Sequence, residues 1–308
     1  MPVLYFLESI RNPVLDAFFS AITHLGSETF FLAAAIITFW CFSKKGGYYL
    51  MTVGFVNTIL NQFLKLLCRV PRPWVKDPNF TIVESARADA TGYSFPSGHT
   101  ASVVSTLGSA ARMCKVTWFR VISIVFIALT AISRMYLGVH TPADVGVSLV
   151  IGTVLVFAVY PLFEKMDEKP VYMYFVLAGL TIISLAYLLF VELKQWPADM
   201  DSYNLEHGIK NAYTLFGCTV GMFLSYHIEN KYVKFDTKAP WWAQVLKTLL
   251  GLAIVLGIKA GLKPLLLTVF NGHVCEAAVR YFAIVVFAAL IWPMTFKWFA
   301  GGCRITRK

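Results

Sequence analysis

Three short polar clusters interrupt the long apolar stretches of this chain. They supply cations, two imidazoles and one carboxylate, and they comprise Lys65 with Arg72 and Pro73; Pro96, Ser97, Gly98 and His99; and Ser133 and Arg134 with His140 and Asp144. Charged side chains are costly next to lipid, so their presence among apolar stretches indicates a function. Fixed cations can hold phosphate oxygens, and a histidine can attack phosphorus. The clusters therefore predict a site that holds a phosphate and attacks it with histidine.

The residue types suit the oxygens of a bound phosphate. Lys65 can supply a point charge, whereas Arg72 and Arg134 can supply planar, bidentate forks. The Ser97 hydroxyl can donate a hydrogen bond. Gly98 permits close approach of the backbone where a helix should begin, and N–H groups at a helix start face an anion.

The two histidines can divide the chemistry between them. One would attack phosphorus, and the other would protonate the departing alkoxide and then activate water. Asp144 follows His140 by four residues, so a helix that begins at Thr141 or Pro142 lets the carboxylate orient the imidazole. No set of carboxylates with metal-ligand spacing accompanies the clusters. We therefore expect a metal-free mechanism without a cofactor.

The three clusters resemble the signature of the type 2 phosphatidic acid phosphatase superfamily of membrane lipid phosphatases. Soluble relatives of this superfamily include bacterial acid phosphatases and vanadium haloperoxidases. The signature reads Lys, six residues, Arg-Pro; then Pro-Ser-Gly-His; then Ser-Arg, five residues, His, three residues, Asp. Every fixed position matches, and the resemblance covers roughly residues 1–163.

The resemblance implies a role for each matching residue. It implies that His140 is the nucleophile, His99 the general acid, and Asp144 the residue that orients His140. The implied phosphate ligands are Lys65, Arg72, Ser97, Gly98 and Arg134. The resemblance also implies an all-helical catalytic core.

The composition is that of a polytopic membrane protein. Of the 308 residues, 57% are hydrophobic and only 14% are charged, and the mean hydropathy is +0.64. The net charge of +10 is concentrated between apolar runs. We interpret it as a determinant of topology, not as a nucleic-acid surface, because no basic face with interleaved aromatic residues is present.

The apolar runs predict an all-α bundle of about nine transmembrane helices. The candidate spans are Gly26–Phe42, Gly47–Leu67, Gly98–Met113, Phe119–Leu137, Asp144–Phe163, Val171–Leu193, Gly208–Tyr226, Ala243–Thr268 and Ala277–Trp298. The segment before the first span alternates polar and apolar residues, which favours an amphipathic helix at the membrane interface. A compositional break at Glu164–Pro170 predicts a catalytic core over residues 1–165 and a transmembrane extension over residues 166–308.

The loop charges predict the orientation of the chain. If the amino terminus lies outside, every inner connection is basic, as the positive-inside rule requires. The basic residues of these connections are Lys44, Lys45, Arg112, Lys115, Arg120, Lys165, Lys169, Lys231, Lys234 and Lys238. All three clusters then face the non-cytoplasmic side, whether periplasmic, extracellular or lumenal. We expect a multi-pass protein of a bacterial plasma membrane.

Other polar residues are weaker candidates. Glu84, Arg87, Lys259 and Lys263 are possible contacts to a lipid headgroup, although the sequence favours a solvated loop for Glu84 and Arg87 and a structural role for Lys259 and Lys263. Further charged or polar residues could line the mouth of the site or pair within the membrane. These are His24 and Glu28 near the first span, and Glu276 and Arg280 at one-turn spacing in the last.

The sequence as a whole favours a phosphohydrolase that acts on a membrane lipid phosphate or diphosphate. A phosphotransferase that passes the phosphoryl group to another alcohol remains an alternative, and transfer to an added acceptor lipid would reveal it. A non-enzymatic lipid-binding or transport protein predicts loss of a catalytic residue, yet none is lost. A haloperoxidase that holds vanadate is disfavoured by the membrane spans.

Overall fold

The computed structural model describes residues 1–166 and 169–300, and within these ranges the chain forms fourteen α-helices and no strand. The helices are α1 Pro2–Ser9, α2 Pro13–Thr23, α3 Glu28–Ile37, α4 Lys44–Cys68, α5 Pro73–Lys76, α6 Gly98–Val103, α7 Ser109–Met113, α8 Thr117–Tyr136, α9 Pro142–Lys165, α10 Val171–Leu193, α11 Ser202–Ile228, α12 Trp241–Val269, α13 Glu276–Val286 and α14 Phe296–Ala300. The predicted all-α class is confirmed.

The amino-terminal segment forms two short helices where the sequence predicted one. Asn12 separates them, because its side chain accepts hydrogen bonds from the backbone N–H groups of Val14 and Leu15 at 3.1 and 3.0 Å. This N-cap and Pro13 at the first helical position start α2 afresh. Both helices expose apolar side chains, such as Phe6 and Val14, as an interfacial helix should.

Six helices of the described residues are long and apolar enough to cross a membrane, or seven if a bent pair counts as one span. The bent pair joins Pro13–Gly26 to Glu28–Phe42 at 50°. The predicted span Gly98–Met113 is helical but short, and a π-helical turn at Val104–Gly108 divides it. Helix α11 carries Glu206 and Lys210 among its apolar residues. The predicted count of nine is therefore not confirmed.

The chain divides into two compact units. Unit 1 comprises residues 1–34, 49–164 and 195–208, and unit 2 comprises residues 35–48, 165–194 and 209–308. The predicted boundary after residue 165 lies next to one of these divisions. Two segments depart from this boundary. Residues 35–48 precede it but belong to unit 2, and residues 195–208 follow it but belong to unit 1.

Helices of unit 1 approach each other closely at small and polar residues. The Asn57 side chain of α4 donates to the Ala101 carbonyl at 2.9 Å and to the Ser105 hydroxyl at 2.8 Å. A Cβ atom at Gly152 of α9 would lie 2.7 Å from the Val104 side chain, so only glycine allows this approach. These contacts hold α4, α6 and α9 together beneath the polar clusters.

The buried charged side chains of unit 2 pair with an opposite charge or donate hydrogen bonds to backbone carbonyl groups. Lys44 donates to Glu229 at 2.9 Å. The buried Lys247 ammonium donates to the Trp40 carbonyl at 2.9 Å. Such local partners offset the cost of placing an ion in an apolar interior.

Candidate active site

The end of α8 sets the spacing between Arg134 and His140. Leu137 closes the helix, and Gly138 adopts the left-handed conformation with φ of +82°. The N–H of Gly138 donates to Met135 at 3.0 Å, and the N–H of Val139 donates to Arg134 at 3.1 Å, which is the Schellman pattern. The His140 N–H then returns to the same Arg134 carbonyl at 3.2 Å. The chain reversal therefore brings the guanidinium and the imidazole to one place.

The start of α9 fixes Asp144. Thr141 is the residue before the helix, and its hydroxyl accepts from the Asp144 N–H at 3.3 Å while its own N–H donates to Asp144 Oδ2 at 2.7 Å. This reciprocal pair is a capping box, and α9 begins at Pro142 as the spacing predicted. Asp144 Oδ2 also lies 3.5 Å from His140 Nδ1. The carboxylate therefore faces the imidazole from the helix that follows it.

A serine outside the predicted set completes the environment of Asp144. The Ser94 hydroxyl donates to Asp144 Oδ2 at 2.6 Å, and both side chains are buried. The Ser94 backbone N–H donates to the Val70 carbonyl at 2.8 Å. Ser94 thus connects the segment that precedes Pro96 to the carboxylate.

The Pro-Ser-Gly-His segment is joined to the same helix. The Ser97 N–H donates to the Asp144 carbonyl at 3.1 Å, and the Ser148 hydroxyl donates to the Ser97 carbonyl at 2.9 Å. The Ser97 hydroxyl accepts from Thr100 and caps α6. His99, the second residue of α6, interacts electrostatically with three cations of the site, which are Lys65, Arg72 and Arg134.

Carbonyl groups of the 91–93 segment surround the first two cations. Lys65 donates to the Tyr93 carbonyl. The Arg72 guanidinium donates to the carbonyls of Thr91 and Gly92 at 2.7 and 3.1 Å. Both cations are buried, with 5% and 6% of their surface exposed. The segment before Ser94 therefore holds both side chains of the first cluster.

Arg72 also defines the protonation of His140. Its Nη1 atom lies 2.9 Å from the Val139 carbonyl and 3.0 Å from His140 Nε2. A guanidinium only donates, so Nε2 must carry the lone pair and the ring proton lies on Nδ1, toward Asp144. Burial lowers the pKa of His140 well below its ordinary value, and the neighbouring Arg72, Lys65 and Arg134 cations lower it further. The imidazole is therefore neutral at neutral pH.

Arg134 is the cation with unused donors. Only 1% of its surface is exposed, and Nη1 donates to the Thr23 hydroxyl at 2.7 Å. Its Nε and Nη2 atoms are buried without a hydrogen-bond partner among residues 1–166 and 169–300. No carboxylate pairs with it in those ranges. The Nε and Nη2 edge is the geometry that binds two oxygens of one phosphate.

The other predicted headgroup contacts are Glu84 and Arg87 in unit 1 and Lys259 and Lys263 in unit 2. Glu84 and Arg87 pair with each other at 2.8 and 2.9 Å in an exposed turn. Lys259 lies over the Tyr281 ring at 5.9 Å, and Lys263 is exposed; both belong to α12. A role for these four residues in binding a headgroup stays a prediction.

The structure adds residues that the sequence reasoning passed over. Ser94 and Thr23 contact Asp144 and Arg134 directly. The Thr141-to-Asp144 spacing is a recognisable capping box, so that contact had a sequence signal. Ser94 and Thr23 had none, because a lone hydroxyl residue near a helix end usually indicates only a turn or a cap.

Comparison with known proteins identifies the family. Residues 45–167 match the PAP2 superfamily, and residues 213–304 match the transmembrane extension of PAP2 superfamily phosphatases. Undecaprenyl-diphosphatase BcrC of Bacillus subtilis (strain 168) is 32% identical over 154 residues, which cover 48% of this chain and 75% of that protein. The chain belongs to the PAP2 superfamily and is a multi-pass membrane protein.

Two further relatives also carry names of lipid phosphatases. A probable sphingosine-1-phosphate phosphatase of Dictyostelium discoideum is 29% identical over 177 residues, or 51% of this chain and 41% of that protein. Lipid phosphate phosphatase delta of Arabidopsis thaliana is 24% identical over 274 residues, or 84% of this chain and 65% of that protein. The chain thus matches less than two thirds of the length of both.

Proposed function

We propose that this protein is an integral membrane phosphohydrolase that acts on a lipid phosphate or diphosphate through a phosphohistidine intermediate. One observation carries the proposal: the buried Arg134 guanidinium has two donor atoms, Nε and Nη2, without a partner among the described residues, beside a neutral histidine. A buried cation without an acceptor is costly, and a phosphate group would supply both acceptors. The names of the three relatives support a lipid as the carrier of that phosphate.

His140 is suited to the role of nucleophile. Its Nε2 lone pair faces Arg72, and a bound phosphate would compete for the same guanidinium and expose that lone pair to phosphorus. Asp144, held by Ser94 and the Thr141 N–H, would stabilise the positive charge that develops on the ring. The carboxylate stays in place during this step because its two other donors fix it.

The reaction proceeds in two balanced steps. In the first, a bond forms between His140 Nε2 and phosphorus, the bond from phosphorus to the lipid-side oxygen breaks, and His99 donates a proton to that oxygen. In the second, His99 takes a proton from water, the water oxygen attacks phosphorus, and the nitrogen–phosphorus bond breaks. Inorganic phosphate leaves, and both histidines regain their starting protonation. Arg134, Arg72 and Lys65 stabilise the charge on the phosphate oxygens in both steps.

The membrane setting supports a substrate that enters from the bilayer. Apolar side chains are exposed on α1 and α2, two helices that contact α8, and they include Phe6, Val14 and Phe18. The polar clusters lie at the ends of α4, α8 and α9, and Arg112, Lys115 and Arg120 lie where α7 ends and α8 begins. By the positive-inside rule the site then faces the non-cytoplasmic side. Cysteines introduced at Asn79 and Thr237 should be labelled from outside and inside, respectively.

Phosphate release from a panel of lipids tests the activity. The full-length protein would be purified in detergent and offered phosphatidic acid, lysophosphatidic acid, a sphingoid-base phosphate, phosphatidylglycerol phosphate and a polyprenyl diphosphate, with and without a chelator. We expect release from at least one substrate in the presence of the chelator. A phosphoenzyme labile to acid and stable in alkali would identify the phosphohistidine. Release from none of the panel would refute the proposed activity, and reversible loss with the chelator would refute the metal-free mechanism.

A further inference from the structure

A segment that precedes all three clusters contacts the site. Helix α2 packs along the last turns of α8, where Asp16 accepts from the Tyr136 hydroxyl at 2.7 Å and the rings of Phe19 and Tyr136 lie 4.4 Å apart. One turn further along, Thr23 is the final residue of α2 and has 4% of its surface exposed. These contacts carry α2 along α8 toward Arg134.

Thr23 determines which edge of the Arg134 guanidinium remains available. Its hydroxyl accepts from Nη1 at 2.7 Å, and both side chains are buried. A guanidinium is planar, so fixing Nη1 also fixes the direction of the edge formed by Nε and Nη2. That edge has no partner in the described part of the chain. Thr23 therefore binds Nη1, an atom that a bidentate phosphate contact through Nε and Nη2 does not use.

The turn after Thr23 lies against the second histidine of the site. A Cβ atom on Gly26 would lie 2.5 Å from the His99 carbonyl oxygen and 2.9 Å from the His99 Cβ. Only a glycine allows this approach. The four residues 23–26 thus contact both the cation with unused donors and the backbone of the other histidine.

We propose that Thr23 is a positioning residue of the phosphate site, which acts by holding Arg134 with its Nε and Nη2 edge toward the phosphate. This inference rests on the proposed function of the same site. It extends that site beyond the three signature clusters to the amino-terminal helix α2. The effect of Thr23 is on phosphate affinity and orientation, because the residue itself does not touch the reacting atoms.

The test compares a substitution that removes the Thr23 hydroxyl with one that keeps it. Thr23→Val keeps the shape and removes the acceptor, whereas Thr23→Ser keeps the hydroxyl. Ser20→Ala is the matched control, since Ser20 lies on the same helix and its hydroxyl bonds to the exposed Ser85 hydroxyl at 3.0 Å, away from Arg134. We expect Thr23→Val to weaken competitive inhibition by orthovanadate and to lower kcat/KM, each by about 10- to 100-fold, which is the usual effect of losing a hydrogen bond to a charged group. Thr23→Ser and Ser20→Ala should stay within a few-fold of the wild type.

A purely structural role predicts a different pattern. It would lower the yield or Tm of Thr23→Val but leave the inhibition constant of the remaining folded enzyme unchanged, and that result would overturn the proposal. If Thr23→Val does not fold, Thr23→Ala is measured by the same inhibition constant against Thr23→Ser. The rise in Tm that vanadate causes measures vanadate binding without relying on enzyme activity. If the wild type binds vanadate but releases phosphate from no lipid, the proposed activity fails while the role of Thr23 remains testable.

Discussion

Arg134 of unit 1 and Arg280 of unit 2 are both buried, and the two side chains differ in what they bind. Arg280 of α13 donates through Nε and Nη2 to the Glu276 carboxylate at 2.9 and 3.0 Å. Arg134 of α8 presents the same two atoms without a partner in the described chain. Both guanidinium groups are buried, with 4% and 1% of their surface exposed. The same donor edge is thus satisfied within unit 2 and left unsatisfied within unit 1.

The difference separates a structural charge from a binding charge. A carboxylate one turn earlier on the same helix neutralises Arg280, so that pair needs no ligand. Around Arg134 the chain places further cations, Lys65 and Arg72, and the nearby carboxylate Asp144 is held by hydroxyl and backbone donors. Asp89 also interacts electrostatically with Arg134, which leaves three cations against two carboxylates. A bound anion would balance this excess of positive charge, which is the physical basis of the proposed phosphate site.

The largest expected effect comes from the nucleophile. His140→Ala should lower kcat by about 10³-fold or more, because the covalent route is lost entirely. His273→Ala is the matched control in unit 2, where the imidazole accepts from the Cys275 N–H at 3.1 Å and its ring lies 6.1 Å from that of Tyr213, and it should leave kcat within twofold. Released phosphate from the best lipid of the panel is the measurement. Equal activity of the two variants would show that His140 is not the nucleophile.

Replacing Arg134 or Arg280 with lysine tests whether the two arginines differ in function. Arg134→Lys keeps the charge but loses the fork, so we expect kcat/KM to fall by about 10²-fold, as for the loss of a transition-state donor. Arg280→Lys should lower Tm in detergent, since the bidentate pair with Glu276 is broken, and should leave kcat/KM close to the wild type. If both variants lose activity in parallel with Tm, the distinction between the two arginines is wrong.

The sequence predicted the parts of the site that depend on local spacing. The four-residue spacing from His140 to Asp144, with Thr141 and Pro142 between them, gave the start of α9 correctly, because a Thr and a Pro at a helix start are strong local signals. The membrane class and the all-α fold followed from long apolar runs. The roles of individual site residues stay predictions until they are tested by substitution.

Contacts between distant segments were beyond the reach of sequence reasoning. Ser94 meets Asp144 fifty positions later, and Thr23 meets Arg134 across 111 positions. The span count also differed from the prediction, because the segment Gly98–Met113 is divided by a π-helical turn and α11 is not among the helices long and apolar enough to cross a membrane. Spacing and periodicity describe one helix at a time, whereas the Ser94 and Thr23 contacts arise where distant segments meet.

Removal of the Ser94 hydroxyl tests which donors hold the Asp144 carboxylate in place. Ser94→Ala deletes one of two short donors to Oδ2 and leaves the other, from the Thr141 N–H at 2.7 Å. We expect kcat to fall by about tenfold, because the carboxylate is less firmly oriented toward His140. Ser184→Ala in unit 2, where the hydroxyl only bonds to Thr219 and a backbone carbonyl, should have no effect on kcat. An unchanged kcat in Ser94→Ala would show that Thr141 alone positions the carboxylate.

The smallest effect concerns pH, and its direction follows from the charges around His140. The pKa of this histidine is lowered first by burial and then by the Arg72, Lys65 and Arg134 cations. The neutral ring is the nucleophile, so its activity is lost only as pH falls through the lowered pKa, below the ordinary value of about 6.5. Arg134→Gln removes one cation, which raises the pKa and moves the acid limb of kcat/KM to higher pH, although burial keeps the shift small. Arg280→Gln removes a cation from unit 2 and should leave the limb in place. The measurement is the pH profile of kcat/KM for both variants on one substrate. If the acid limb moves equally in both variants, or moves to lower pH in Arg134→Gln, the cations of the site do not set the protonation of His140.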